Sequence, residues 1–268
     1  MQLVSGPALA CRALEPFAVH FFTTRRWSLG TAVPGGAACD AAWNEVAEAI
    51  GVDPVRLIRG RQVHGAGVVV AGEPSGPLSD GDIVISNTHH LAAAVQAADC
   101  TPLLVADRRT GAVAAAHAGW RGLAARVPES VVAALMHRFG SRPTDLVVAI
   151  GPSIGVCCYE VGADVRHRFE REGFAPGELA RWLRPSAEPT AANPSMAAIP
   201  RPPRAGHWFF DGWAVARDQF RAAGVPDDQV FVADLCTASH PGVFCSYRRD
   251  GQGTGRLAGA IRPAPPRP

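Results

Sequence analysis

Three residues pair ligand chemistry with positions at the ends of predicted strands. They are His64 in Arg-Gln-Val-His-Gly, Cys100 in Ala-Ala-Asp-Cys-Thr-Pro and His117 in Ala-Ala-His-Ala-Gly-Trp-Arg-Gly. Imidazole and thiolate together suit Zn²⁺. Three protein ligands leave a fourth position for water, as in catalytic rather than structural zinc sites. The separations of 36 and 17 residues match no local metal motif, so only the fold can gather the three. Taken singly, each has an ordinary role: a cysteine in an apolar run fills core space, and a histidine at a strand end bonds the backbone. Asp99, next to Cys100, is placed to orient a ligand or shuttle a proton, or simply to cap a turn.

A second chemistry is anion binding. Gly119 and Gly122 flank Trp120-Arg121 directly before a predicted helix over 123–139. Free N–H groups at a helix start beside a guanidinium fork make an anion site. A plain glycine-rich turn would read the same way. Gly-Pro-Ser-Ile-Gly (151–155) is a second such turn, and Cys157, Cys158, Tyr159 and Glu160 follow it. The stretch 243–250 reads as a strand, where alternation would send Arg248 and Arg249 to opposite faces. One of them would then reach a site and the other would be solvated. Arg25, after the strand-like His-Phe-Phe-Thr-Thr, is a further candidate. The candidate substrate- and phosphate-binding residues are Arg25, Arg121 and Arg248, with Gln62 beside the His64 turn.

The elements that must position these residues read as follows. Strands are expected over 17–23, on both sides of a Gly-rich break in 57–72, over 91–98, and over 146–151. Residues 102–107 and 112–117 form a hairpin across Arg-Arg-Thr-Gly. Helices are expected over 41–50, 123–139, 161–173 and 211–224. Residues 230–236 and 243–250 read as strands, the second turning at Gly-Gln-Gly-Thr-Gly into 256–261. Residues 185–206 carry six prolines and little periodicity, as a mobile insert would. Hairpins interspersed with helices indicate an α+β fold, expected as a single domain over 1–268.

Composition narrows the function further. Hydrophobic residues make up 47% and charged residues 19% of 268, with a net charge of +2. That balance argues against nucleic-acid or membrane-surface binding by bulk charge. The chain contains no lysine, so Schiff-base chemistry and a Walker-type phosphate clamp are excluded. Any anion must be held by arginine, backbone N–H groups or a metal. Seven cysteines without regular spacing do not form a disulfide framework, and no leader or apolar span is evident, so a cytoplasmic protein is expected.

Seven stretches carry a resemblance. They are Thr-Thr-Arg (23–25), Gln-Val-His-Gly (62–65), 80–87, 97–107, 115–123, 151–162 and 246–256. In these the chain resembles the YfiH-like proteins, also labelled laccase-domain or multicopper polyphenol oxidoreductase proteins and, more recently, purine nucleoside phosphorylases. The resemblance implies zinc ligands at His64, Cys100 and His117. It implies an α+β sandwich shared with a bacterial toxin deamidase. It also implies phosphorolysis of adenosine, inosine and methylthioadenosine, with hydrolytic deamination of adenosine. The stretch Arg-Arg-Trp-Ser-Leu-Gly (25–30) departs from the family pattern, and Ser28-Leu29-Gly30 stands in for the usual Asn-Leu-Gly.

Two other functions remain open on sequence. A copper (Cu²⁺) phenol oxidase needs many imidazoles in paired motifs, whereas nine histidines here include no His-x-His. A cysteine hydrolase acting on cell-wall precursors would use Cys100 as nucleophile with His117 or His64 as base. The expected partners are a nucleoside and phosphate, with no nucleic acid and no membrane. The oligomeric state is not legible.

Overall fold

The computed structural model of the protein describes residues 7–27, 29, 37–72, 79–188 and 203–265. The strands are β1 (Ala8–Leu9), β2 (Ala18–Thr23), β3 (Leu57–Ile58), β4 (Val68–Val70), β5 (Ile83–Ser86), β6 (Ala92–Ala97), β7 (Thr101–Asp107), β8 (Val113–Ala118), β9 (Leu146–Ile150), β10 (Glu160–Gly162), β11 (Leu183–Arg184), β12 (His207–Phe210), β13 (Val230–Val232) and β14 (Leu257–Pro263). The helices are α1 (Ala37–Ile50), α2 (Trp120–Ala124), α3 (Val127–Phe139), α4 (Ala163–Arg171), α5 (Pro176–Trp182), α6 (Gly212–Ala222) and α7 (Tyr247–Asp250).

One sheet has the order β1-β2-β14-β6-β3 and another β13-β9-β7-β8-β5-β4; a small third is β10-β12-β11. Each of the two larger sheets mixes parallel and antiparallel pairs. The fold is therefore α+β, as the patterning indicates, and a mixed-sheet sandwich flanked by helices, as the resemblance implies.

Strand alternation sorts side chains into layers. Val84, Leu104, Ala115 and Val147 of the six-stranded sheet pack on Phe22, Ala93, Val95 and Ile261 of the five-stranded sheet. Their chain neighbours Ile83, Leu103, Val105 and Val148 face the other way, onto Leu123, Val131, Leu135 and Phe220 from α2, α3 and α6. On the far side, Ala92, Ala94 and Ala260 lie against Trp43, Val46 and Ile50 of α1. The layers run helix, sheet, sheet, helix. Central strands are buried on both faces, which is why they read as continuous apolar runs.

Several expectations are corrected. The single helix over 123–139 is two helices, broken at Arg126, which adopts left-handed φ 59°. Pro128 explains the break, because its ring lacks an N–H and would clash with the carbonyl four residues earlier. The strand over 230–236 is only Val230–Val232, and Asp234 (φ 55°) turns the chain away. Residues 243–250 are not a strand but a turn followed by α7. There the Ser246 side chain accepts the Arg249 N–H, and Asp99 accepts the Arg248 N–H at 2.6 Å. Those acceptors satisfy donors that a strand would have left to a neighbour. Helix α5 has no counterpart in the sequence reading. Of the proline-rich stretch, 189–202 lies outside the described residues, as do Ser28 and Gly30. Among the described residues no helix is long and apolar enough to cross a membrane.

Candidate metal centre

The hairpin of β7 and β8 brings two of the three ligands together. Its register pairs Thr101 with Ala118 and Pro102 with His117, so Cys100 meets His117 at its open end. Asp99, at φ 89°, makes the tight reversal between β6 and β7. His64 arrives from the loop between β3 and β4, itself at φ 62°.

Asp82 fixes that loop. It is fully buried just before β5. Its carboxylate accepts the N–H groups of Val63, His64 and Gly65 at 3.1, 3.0 and 2.9 Å. It also accepts Nδ1–H of His117 at 2.8 Å. A carboxylate held this way cannot donate, so His117 carries a proton on Nδ1 and its Nε2 is the atom that could bind a metal. Burial works against ionising Asp82, yet the bonds from His117 and the three amides outweigh it and hold the carboxyl below its ordinary range.

The three ligand atoms lie within 4.8 Å of one another. Cys100 Sγ is 3.9 Å from His64 Nε2, and the two imidazoles stand nearly perpendicular at 83°. Gly119 makes the convergence possible. A Cβ there would fall 2.8 Å from Cys100 Sγ and 3.2 Å from His64 Cδ2. Burial pushes the Cys100 thiol up, but the charge and hydrogen bonds of His117, with help from His64, bring it down to about 6. Burial likewise opposes a charge on His117, but the Cys100 thiolate and Asp82 raise it to about 9. A compact His–Cys–His set with a carboxylate behind one imidazole fits a metal ion: the donors are borderline to soft, and the orienting partner is in place.

The centre opens into a cavity of about 520 Å³. Trp120, Tyr159, Phe210 and Tyr247 supply aromatic wall, and Arg121, Arg248 and Arg256 supply positive charge. The Arg121 guanidinium sits 4.3 Å over Trp120, and that of Arg248 lies 5.0 Å over Tyr159 while donating to the Glu160 carbonyl at 2.8 Å. Helix α2, at five residues, is too short for its dipole to contribute much, so charge at this edge comes from Arg121 itself.

The fold brings His64, Cys100, His117, Asp99, Gln62, Arg121 and Arg248 to one cavity. Gln62 has its amide tied on both sides to the Gln96 backbone at 2.8 Å, so it braces the His64 loop. Asp99 accepts from Thr237 Oγ1 and from the Arg248 N–H, both at 2.6 Å. Arg25 is exposed outside the cavity lining, with its guanidinium on the Pro241 carbonyl. Arg249 is not solvated as expected: it donates to the carbonyls of Thr237, Ala238 and Phe244 and pairs with Asp250. Two residues escaped the sequence reading, Asp82 and Arg256. Both lie within stretches that carry the resemblance, 80–87 and 246–256.

A family model described as multi-copper polyphenol oxidoreductase laccase matches residues 36–263. A purine nucleoside phosphorylase of Streptomyces coelicolor is 36% identical over 90% of this chain and 94% of its own. A purine nucleoside phosphorylase of Bacteroides thetaiotaomicron is 33% identical over 67% of this chain, which spans 60% of that relative's length. The crystal structure of the Bacillus licheniformis hypothetical protein YfiH superposes with a TM-score of 0.79 at 25% identity, covering 97% of this chain and 98% of that one. With sequence match and superposition both running nearly end to end, the chain belongs to the YfiH-like, laccase-domain family.

Proposed function

We propose that the chain is a zinc-dependent purine nucleoside phosphorylase acting on adenosine, inosine and methylthioadenosine, with deamination of adenosine as a second activity. One observation carries this reading: a single cavity of about 520 Å³ surrounds the His64–Cys100–His117 group with both aromatic rings and guanidinium groups. That size and mixture suit a flat base, a sugar and an oxyanion together. The name of the Streptomyces coelicolor relative supports the same class.

His64, Cys100 and His117 would hold the ion. Zinc, when bound, supplies Lewis acidity and lowers the pKa of water. Trp120, Tyr159 and Phe210 stack on the base. Arg121 and Arg248 hold phosphate beside the anomeric carbon and stabilise charge as the phosphate oxygen bonds to that carbon and the purine nitrogen leaves. Asp99, with both carboxylate oxygens engaged, acts as a positioning residue for Arg248 and the Cys100 turn.

A second reading has its own support. A thiol brought down to about 6 beside His117 is a nucleophile–base pair of the kind a cysteine hydrolase uses, on cell-wall precursors for instance. A bound metal would quench that nucleophile. Copper-dependent phenol oxidation is favoured by the family model's description, but His64–Cys100–His117 is the one ligand group with imidazole found among the described residues.

Product analysis separates these. Purified protein of known metal content is given adenosine with and without phosphate. Phosphate-dependent adenine with ribose phosphate, together with inosine, is the expected result. No purine product, with oxygen uptake on phenols in proportion to copper, would overturn it.

A further inference from the structure

A second cluster of soft ligands lies behind the pocket wall. Cys157 and Cys158 occupy the turn after Gly155, and Cys236 lies in the segment after β13. Their three sulfurs lie within 4.8 Å of one another. None is in a disulfide. Cys157 and Cys236 are buried and Cys158 is half-buried.

The two segments are locked in register. Ser153 and Cys236 form a parallel bridge, with the Ser153 N–H donating to the Leu235 carbonyl and the Thr237 N–H to the Ser153 carbonyl. A Cβ on Gly155 would fall 2.7 Å from the Trp213 ring and 3.3 Å from Cys236 Cβ. The bare backbone lets the Gly155 N–H reach Cys236 Sγ at 3.2 Å.

Three sulfurs gathered within 4.8 Å, from two segments held in register, are a donor set for a thiophilic d¹⁰ ion. The group holds three sulfurs and no imidazole or carboxylate. Closed zinc sites take four ligands, so zinc would be left one short. Metal–sulfur bonds of about 2.3 Å place the sulfurs of a trigonal site about 4 Å apart, within the observed spread.

We propose that Cys157, Cys158 and Cys236 bind one Cu(I) ion in a closed, all-sulfur, three-coordinate site. Binding displaces the thiol protons to solvent as the three sulfurs become thiolate ligands of the ion. The ion ties the turn that carries Ile154 and Tyr159 of the cavity wall to the segment whose Thr237 hydroxyl holds Asp99. This site stands apart from the reading of the nucleoside pocket.

The test uses full-length Cys100→Ala protein, so that the first centre does not contribute. Cu(I) is added anaerobically against a bathocuproine competitor, and copper X-ray absorption reads the ligands. The expected result is one ion per chain, three sulfur neighbours and no nitrogen. Cys158→Ser, at the half-buried position, should weaken binding by about tenfold or more. Cys236→Ser should do the same, provided circular dichroism shows it folded; Cys158→Ser decides if it does not fold. Equal retention by the variants, nitrogen at the copper, or a preference for zinc with a fourth ligand would each overturn the proposal.

Discussion

Asp82 holds both imidazoles of the centre, one through its ring nitrogen and the other through three consecutive backbone amides. Asp82→Asn keeps the shape but removes the charge and turns one acceptor into a donor. Zinc affinity should fall by about 10- to 100-fold, as for other orienting partners of ligating histidines. A chelator competition checks this, and unchanged affinity would count against Asp82 as the organiser. Cys100 offers a second test. In metal-free protein its alkylation by iodoacetamide, followed by peptide mass, should rise with a midpoint near pH 6 rather than near the ordinary 9.0. The thiolate's stabilising contribution is complete above pH 9.0 and is lost as pH falls through about 6. The imidazolium's is complete below pH 6.5 and is lost as pH rises through about 9. In metal-free protein the thiolate–imidazolium pair therefore exists between about pH 6 and about pH 9, and an alkylation midpoint near 9 would contradict the pairing. His64, Cys100 and His117 were legible in the sequence because their side chains are metal ligands by type. Asp82 was not: it acts through backbone amides 17 to 19 residues away, and nothing in its own type marks that.

At the scale of elements, the β7–β8 hairpin does the gathering and Gly119 keeps its open end clear. Gly119→Ala would place a methyl 2.8 Å from Cys100 Sγ, at a backbone φ of −72° that alanine adopts easily. The fold should survive while zinc affinity drops by about tenfold or more, since a ligand must move. Titration with a zinc indicator, alongside circular dichroism, reads both. Wild-type affinity would mean the three ligands do not converge as described. The hairpin was legible because its two apolar runs flank a four-residue turn. Helix α7 was not. It spans four residues, and its first turn is satisfied by Ser246 and by Asp99, an acceptor 149 residues distant. The same distant contact decides which arginine faces the cavity. Strand alternation anticipated a split between Arg248 and Arg249, but the split arises from a capped turn.

Across the whole molecule, helix, sheet, sheet and helix enclose a buried apolar cluster between each pair of layers, and the centre sits where loops from both large sheets meet. Leu104, fully buried between the sheets, belongs to the same strand that Cys100 precedes. Leu104→Ala should cost about 2–5 kcal/mol by urea denaturation, the range for truncating a buried leucine. Below the transition, zinc should still bind at full stoichiometry; loss of the metal without loss of stability would separate the centre from the core. The α+β class was legible from strands and helices interleaved along the chain. The pairing of β14 with β2 and β6 was not, because contacts between distant segments leave no local period in the sequence. The link between metal and chemistry is tested by measuring zinc content and phosphate-dependent adenosine cleavage together in wild-type and Cys100→Ala protein. Stoichiometric zinc in the wild type, with both zinc and adenine release lost in the variant, is the expected result. Full phosphorolysis by a zinc-free Cys100→Ala protein would contradict it.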